Sequence, residues 1–393
     1  MSGEKTKKKV AIRWWLRTYL LALRRKAAAL ARREHDPYPP PPDGVRLSPS
    51  LEHFAAYEKA PLALSWDPAG EAGVEAWQSQ ARTRLKELLG VRWGLRPRAH
   101  HPEEASPAGG LLRRRVYLRV ADERDVPVFL IRREPLERPA PVLLYLSGST
   151  SGVHVGWGEA RIPADYLLLG VGADMARQAA GRGYLVVCVE QACFGERLER
   201  ALSPRSEDRC VDAANHALLL GRCLLGEQVA DMVSVVDWLL EGGTGFDPDP
   251  ERIHLFGHSS GGTVAVYTAA VDPRVRAAFC SGCLGPIRKG VGRRRNPGGA
   301  AVVPGILNWM DTADVVALSA PRPFIGISGE RDHIYPFEGV REVIEAAGRV
   351  YGALGRRDRI AAVAGPRGHQ YYPRETWAAV DRMLSGPEKG RGH

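Results

Sequence analysis

Three side chains distant in sequence have the types and local settings that make an inert hydroxyl reactive. Ser259 lies in Gly257-His258-Ser259-Ser260-Gly261-Gly262, after the apolar residues Ile253, Leu255 and Phe256 and before a helix-compatible stretch starting at Thr263. A G-x-S-x-G pentapeptide between a strand and a helix predicts a strained turn that lifts the serine hydroxyl clear of a sheet. Gly257 and Gly261 fit such a turn because strand and helix backbones nearly touch there, leaving no room for a Cβ. A serine hydroxyl is a weak nucleophile until a base takes its proton, and the resulting imidazolium needs a carboxylate to orient it. Downstream, an apolar run through Ile325 and Ile327 leads into Gly329-Glu330-Arg331-Asp332-His333, and the last apolar run leads through Gly365-Pro366-Arg367 into Gly368-His369. Asp332 is assigned as the orienting acid, with Glu330 its rival, and His369 as the general base. His333 is not placed near Ser259 by adjacency alone, and His258 is expected to pack below the turn. The chemistry these residues would support is acyl transfer. It needs two donors for the developing oxyanion. One is expected from the Ser260 N–H, and the other from Ser147-Gly148-Ser149-Thr150-Ser151-Gly152, most simply the Ser149 amide.

These residues need a scaffold that brings three loops to one edge. Short β-rich runs are expected at 115–120, 126–132, 141–146, 184–189, 253–256, 275–280, 323–328 and 359–363. The later ones alternate with helical stretches near 173–180, 216–241, 263–270, 337–354 and 374–384. Two hairpin-like strands followed by β-α alternation imply an α/β fold, with a mostly parallel eight-stranded central sheet flanked by helices. Ligands of such sheets bind beyond the carboxyl ends of the strands, where the serine, the acid and the histidine all fall. Two long connections, 192–215 and 284–318, follow strand ends and are expected to wall or partly cap a pocket. The second holds the run Arg293-Arg294-Arg295. A charge run of this kind is ordinarily solvated surface, with an anionic substrate as the sharper alternative.

The chain has 393 residues, 44% of them apolar and 25% charged, as in a soluble globular protein. Its net charge of +10 is concentrated at one end. Residues 1–36 hold eleven Lys and Arg against Glu4, Glu34 and Asp36, so that segment carries +8 and the body is nearly neutral. A nucleic-acid-binding body is therefore excluded. Within this segment Leu16, Leu20, Leu23, Ala27 and Leu30 form one stripe at helical spacing. The arginines interrupt every apolar run well short of the ~20 residues a membrane span needs, and short of a signal-peptide core. A cytoplasmic protein is expected. The arm is read as docked on its own body or a sister subunit of a homo-oligomer, as lying on a membrane periphery with Trp14 and Trp15 at the interface, or as a disordered tail. A proline-rich linker, Pro37 to Pro42, then precedes an amphipathic helix from Val74 to Leu89 bearing Trp77, Ala81 and Leu85. The expected organisation is an arm over 1–36, a linker and helical extension over 37–110, a catalytic domain over 111–386 and a tail over 387–393. Six cysteines are too few for a disulfide framework. Cys280-x-x-Cys283 has no second pair to complete a metal site and is expected to pack in the core.

Residues 114–384 resemble the α/β-hydrolase superfamily, and within it the dienelactone hydrolase and acetyl xylan esterase-like branch. The stretches that carry the resemblance are Gly181-Arg182-Gly183-Tyr184, Phe194-Gly195-Glu196-Arg197, Gly257 to Gly262, Ala320-Pro321-Arg322-Pro323, Gly329 to Pro336 and Gly368-His369. The resemblance implies a serine carboxylic ester hydrolase that works through an acyl-enzyme on a small-molecule ester, with no metal or organic cofactor. Acetylated sugars are one substrate class it suggests. The chain departs from many relatives in having Ser147-Gly148 where they have His-Gly, and serine replaces the cysteine nucleophile of dienelactone hydrolases proper. Two other readings stand beside it. The doubled glycine Gly261-Gly262 recurs in serine peptidases of the prolyl oligopeptidase type, although some 110 residues before the first strand cannot build the large propeller those enzymes usually carry. A non-catalytic binding protein on a hydrolase fold would have no need of serine, acid and histidine together.

Overall fold

The computed structural model describes residue 27 and residues 38–68, 73–200, 209–290 and 301–385. The expected basic arm, apart from residue 27, lies outside the described residues, as do the Arg293 to Arg295 run and the tail.

The strands are β1 (Arg98–His100), β2 (Ser106–Ala108), β3 (Leu111–Ala121), β4 (Arg124–Arg132), β5 (Ala140–Leu146), β6 (Leu185–Val189), β7 (Pro248–His258), β8 (Ala277–Ser281), β9 (Phe324–Gly329) and β10 (Ile360–Gly365). They form a ten-stranded sheet in the order β1-β3-β4-β6-β5-β7-β8-β9-β10, with β2 also paired to β3. From β6 to β10 every pairing is parallel; β1 to β4 and the β4/β6 junction are antiparallel. The eight expected strands are thus joined at one edge by two three-residue strands, β1 and β2. Both come from the segment expected to be a helical extension and are too short to leave a period-two signal.

Strand alternation explains the two-faced core. Along β5, Val142, Leu144 and Leu146 point into one apolar layer and Leu143 and Tyr145 into the other. In β6, Leu185, Val187 and Val189 oppose Val186 and Cys188 in the same way. Near-continuous apolar runs of this kind are what a parallel sheet covered on both faces requires. The first layer is closed by the helices Val74–Leu89, Leu224–Leu240, Ser260–Val271 and Phe337–Ala353, the second by Met175–Gly181 and Pro373–Ser385. Val74–Leu89 is integral to the core: Trp77, Ala81, Leu85 and Leu89 are buried, and Gln78 and Arg82 donate to the carbonyls of Ala317, Ala320, Ala270 and Leu318.

The helix expected over 216–241 is instead two, Arg209–Leu219 and Leu224–Leu240. Gly221, at φ +69°, turns the chain between them, and the Cys223 sulfur caps the second by accepting the Gly226 N–H. Among the described residues no helix is long and apolar enough to cross a membrane.

Candidate active site

β7 ends at His258, and the chain reverses at Ser259 into the helix Ser260–Val271. Ser259 has φ +53° and ψ −120°, a conformation costing a non-glycine residue roughly 1–3 kcal/mol and held only where its surroundings over-determine it. Here the Ser259 N–H donates to the Ser281 carbonyl at 2.7 Å. A Cβ at Gly257 would lie 2.2 Å from the Gly261 carbonyl oxygen, and one at Gly261 would lie 2.4 Å from that of Ser147. Both glycines are therefore required by close approach.

Asp332 follows β9, and His369 follows β10. His369 Nε2 lies 3.0 Å from Ser259 Oγ, and His369 Nδ1 lies 2.8 Å from Asp332 Oδ2. With Nδ1–H donating to the carboxylate, Nε2 is left to accept the serine proton. Asp332 is 4% exposed. Its Oδ1 accepts the N–H groups of Ile334 and Tyr335, each at 2.8 Å, and the Ser328 hydroxyl lies 3.1 Å from Oδ2. Burial alone would raise its pKa. The hydrogen bonds from His369 and from the Tyr335 and Ile334 amides outweigh burial and hold the carboxyl below its ordinary range. Glu330, the rival acid, is exposed, as is His333.

His258 is buried beneath the turn, with Nδ1 3.0 Å from Ser281 Oγ. Burial, reinforced by His369, pushes its pKa down to about 3, so it is a neutral wall. Tyr371 stacks on it, and the Tyr371 hydroxyl accepts from the Gly148 N–H at 3.4 Å.

The Ser260 N–H stands at the first turn of its helix, where amides lack intrahelical acceptors. The loop of Ser147 to Gly152 abuts Ser259: a Cβ at Gly148 would sit 3.5 Å from the Ser259 Cβ. Ser149 is exposed and lines the cavity beside Ser259. Cys280 and Cys283 are free thiols in the core behind the turn, and a Cβ at Gly262 would meet Cys283 Sγ at 2.7 Å. Among the described residues no cluster of three or more His, Cys, Asp or Glu side chains could hold a metal ion.

A cavity of about 270 Å³ opens over Ser259 and His369. Neither long connection expected to wall it contributes any described residue to its lining. The described parts of those connections pack elsewhere: Cys193 and Ala214 cluster with Leu224, and Val303, Ile306 and Met310 enter the main core. The walls come from the loop over 148–151, from Val155, and from Leu167, Leu168 and Val171 on and just after the helix Pro163–Gly170. That helix is absent from the sequence-based expectation because eight residues give little periodicity. Its signals are Pro163 at the first turn and Asp165, whose Oδ2 accepts the N–H groups of Arg161 and Ile162.

No family model matches the chain. A provisionally named hydrolase of Bacillus subtilis (strain 168), YtaP, is 26% identical over 245 residues, which are 62% of this chain and 77% of YtaP. Among solved structures, a provisionally named acetyl xylan esterase from Bacteroides fragilis is 18% identical with a TM-score of 0.66, covering 83% of this chain and 84% of that one. The chain has the α/β-hydrolase fold. A glucuronoyl esterase from Solibacter usitatus has the same architecture at 16% identity and a TM-score of 0.60, over 82% of this chain and 97% of its own. In the α/β-hydrolase order of elements, nucleophile turn, acid loop and histidine loop follow in sequence. In this chain Ser259, Asp332 and His369 follow β7, β9 and β10 in that order.

Proposed function

We propose that this α/β-hydrolase is a serine carboxylic ester hydrolase acting through an acyl-enzyme, with Ser259 as nucleophile, His369 as general base and Asp332 as orienting acid. The observation that carries the reading is the single imidazole that reaches Ser259 Oγ at 3.0 Å through one nitrogen and Asp332 Oδ2 at 2.8 Å through the other. His369 Nε2 takes the hydroxyl proton as Oγ attacks the ester carbonyl. The N–H groups of Ser260 and Ser149 receive the charge that develops on the carbonyl oxygen. Collapse of the tetrahedral intermediate expels the alcohol, which takes the proton back from His369. Water, deprotonated by the same imidazole, then releases the acid. The resident residues supply all of these steps.

The cavity supports an uncharged ester with a small acyl or alcohol group. Val155, Leu167, Leu168 and Val171 form its apolar wall, and among the described residues no Lys, Arg, Asp or Glu side chain lines it. Acetyl esters, the class in the name of the Bacteroides fragilis structure, fit this volume.

Replacing Ser259 by alanine tests the reading. Ser259→Ala is expected to remove nearly all turnover of p-nitrophenyl acetate and all labelling by a fluorophosphonate, with the circular dichroism spectrum unchanged. Retained turnover refutes the assignment.

A further inference from the structure

The two residues after β6 grip both ends of the loop that abuts Ser259. Gln191 Nε2 donates to the Ser147 carbonyl at 2.8 Å, where the loop leaves β5. Glu190 Oε1 accepts the Val153 N–H at 3.1 Å, where the loop enters the next turn. Glu190 Oε2 accepts the Glu196 N–H at 3.3 Å, which ties the same carboxylate to its own following loop, and the Glu190 N–H donates to the Pro127 carbonyl of β4 at 3.1 Å. Both side chains are shut off from solvent, at 1% and 3% exposure.

The packing around this clasp leaves no slack. A Cβ at Gly152 would come 2.8 Å from Glu190 Oε2, and one at Gly195 would come 1.9 Å from it, so each loop has a glycine where it closes on the carboxylate. Among the described residues Gln191 Oε1 is buried without a hydrogen-bond partner, and the side chain's donor contact goes to the Ser147 carbonyl. Neither residue lines the cavity over Ser259.

We infer that Glu190 and Gln191 are positioning residues, which fix the loop over 147–152 at its two ends and so aim its backbone donor at the oxyanion of the reacting ester. The inference rests on the proposed role of Ser259. A backbone amide cannot be held by its own side chain, and an oxyanion hole works because its donors are already in place when charge develops. Two consecutive residues just past the neighbouring parallel strand make a short brace, since β5 and β6 end side by side in register, Tyr145 against Cys188.

The test uses the full-length chain and its Glu190→Gln, Glu190→Ala and Gln191→Leu variants, with active sites counted by complete fluorophosphonate labelling. Losing an oxyanion donor outright costs about 10²- to 10³-fold in kcat, so a loosened donor is expected to cost roughly ten- to a hundredfold per labelled site. KM should stay within about twofold, because the interaction is made only in the transition state. Ser149→Pro removes the donor N–H itself. In that background Glu190→Gln should cost under about twofold more, as expected when two changes act through one group. Wild-type kcat per labelled site in both Glu190→Gln and Gln191→Leu, with only a lower melting temperature, overturns the inference. A full additive cost in the Ser149→Pro background does so too. If Glu190→Ala does not fold, the Gln191→Leu arm still decides. Turnover by Ser259→Ala would instead refute the proposed function.

Discussion

The imidazole of His258 stacks on the ring of Tyr371, with centroids 3.9 Å apart and planes 28° from parallel. His258 belongs to the last position of β7 and Tyr371 to the loop after β10, so the contact fastens the strand that leads into Ser259 to the loop that carries His369. The Tyr371 hydroxyl extends the connection to the Gly148 N–H. Tyr371→Phe keeps the stack and removes that acceptor. A neutral hydrogen bond contributes about 0.5–1.5 kcal/mol, so kcat on p-nitrophenyl acetate should fall about two- to tenfold with KM unchanged. An unaltered kcat would mean that the hydroxyl has no part in seating the loop.

Asp332 is the better-placed acid because three donors, the Ser328 hydroxyl and the Ile334 and Tyr335 amides, already hold its carboxylate independently of His369. Asp332→Asn preserves the shape but presents an amide to His369 Nδ1, favouring the wrong tautomer. Loss of the carboxylate from a serine triad drops kcat by about 10⁴, and a fall of that order is expected here. Glu330→Gln, at an exposed position, should leave kcat within about twofold. Equal losses in the two variants would reopen the choice of acid.

Three of the buried titratable groups, His258, His254 and Glu190, contribute to how stability varies between about pH 5 and 6. His258 and His254 are depressed by burial to about 3 and about 4, so in this window the unfolded chain holds nearly one more proton at each than the folded one does. Their contribution is lost as pH falls. Glu190 works the other way. Burial raises it to about 7, against hydrogen bonds from the Val153 and Glu196 amides, so it stays protonated in the fold while the unfolded carboxyl ionises, and its contribution is lost as pH rises. The net difference of about one proton gives a gain near 1.4 kcal/mol per pH unit on going from pH 5 to 6. Glu190→Gln removes the opposing group and should bring the slope to roughly twice that value. Urea midpoints measured across the window check both slopes, and an unchanged slope in the variant would place Glu190 outside the titration.

The fold and the proposed triad were legible for the same reason. Parallel strands buried on both faces must be short apolar runs, and Ile253, Leu255, Ile325 and Ile327 stand directly before the loops that carry chemistry. Ser259 carries its own punctuation, because Gly257 and Gly261 are dictated by a backbone contact within a few residues. The cavity wall was not legible. Leu167 and Leu168 reach the site from an eight-residue helix and Val171 from its C-cap, and their role depends on where that helix packs rather than on local pattern. Glu190 escaped for a related reason. A carboxylate after an apolar strand reads as the start of a solvated loop, and only the tertiary approach of Gly152 and Gly195 makes it a buried clasp. The described parts of the long connections add nothing to the cavity lining, since length alone does not say which part of the sheet edge a loop covers.

The apolar wall predicts how substrate length should be read. Each methylene moved from water onto apolar surface contributes about 0.8 kcal/mol, or roughly fourfold in kcat/KM. In a series of p-nitrophenyl esters from acetate to octanoate, kcat/KM should rise by up to this factor per carbon and then fall once the cavity of about 270 Å³ is full. Leu167 is 61% exposed at the mouth of this wall, so replacing it should not disturb the core. Leu167→Asp places a charge where the chain of a longer ester would lie, and should lower kcat/KM for butyrate by about tenfold, near two methylenes' worth, while acetate stays within about twofold. Equal losses on both esters would move the acyl chain away from Leu167, and the alcohol group would then be the part that meets the wall.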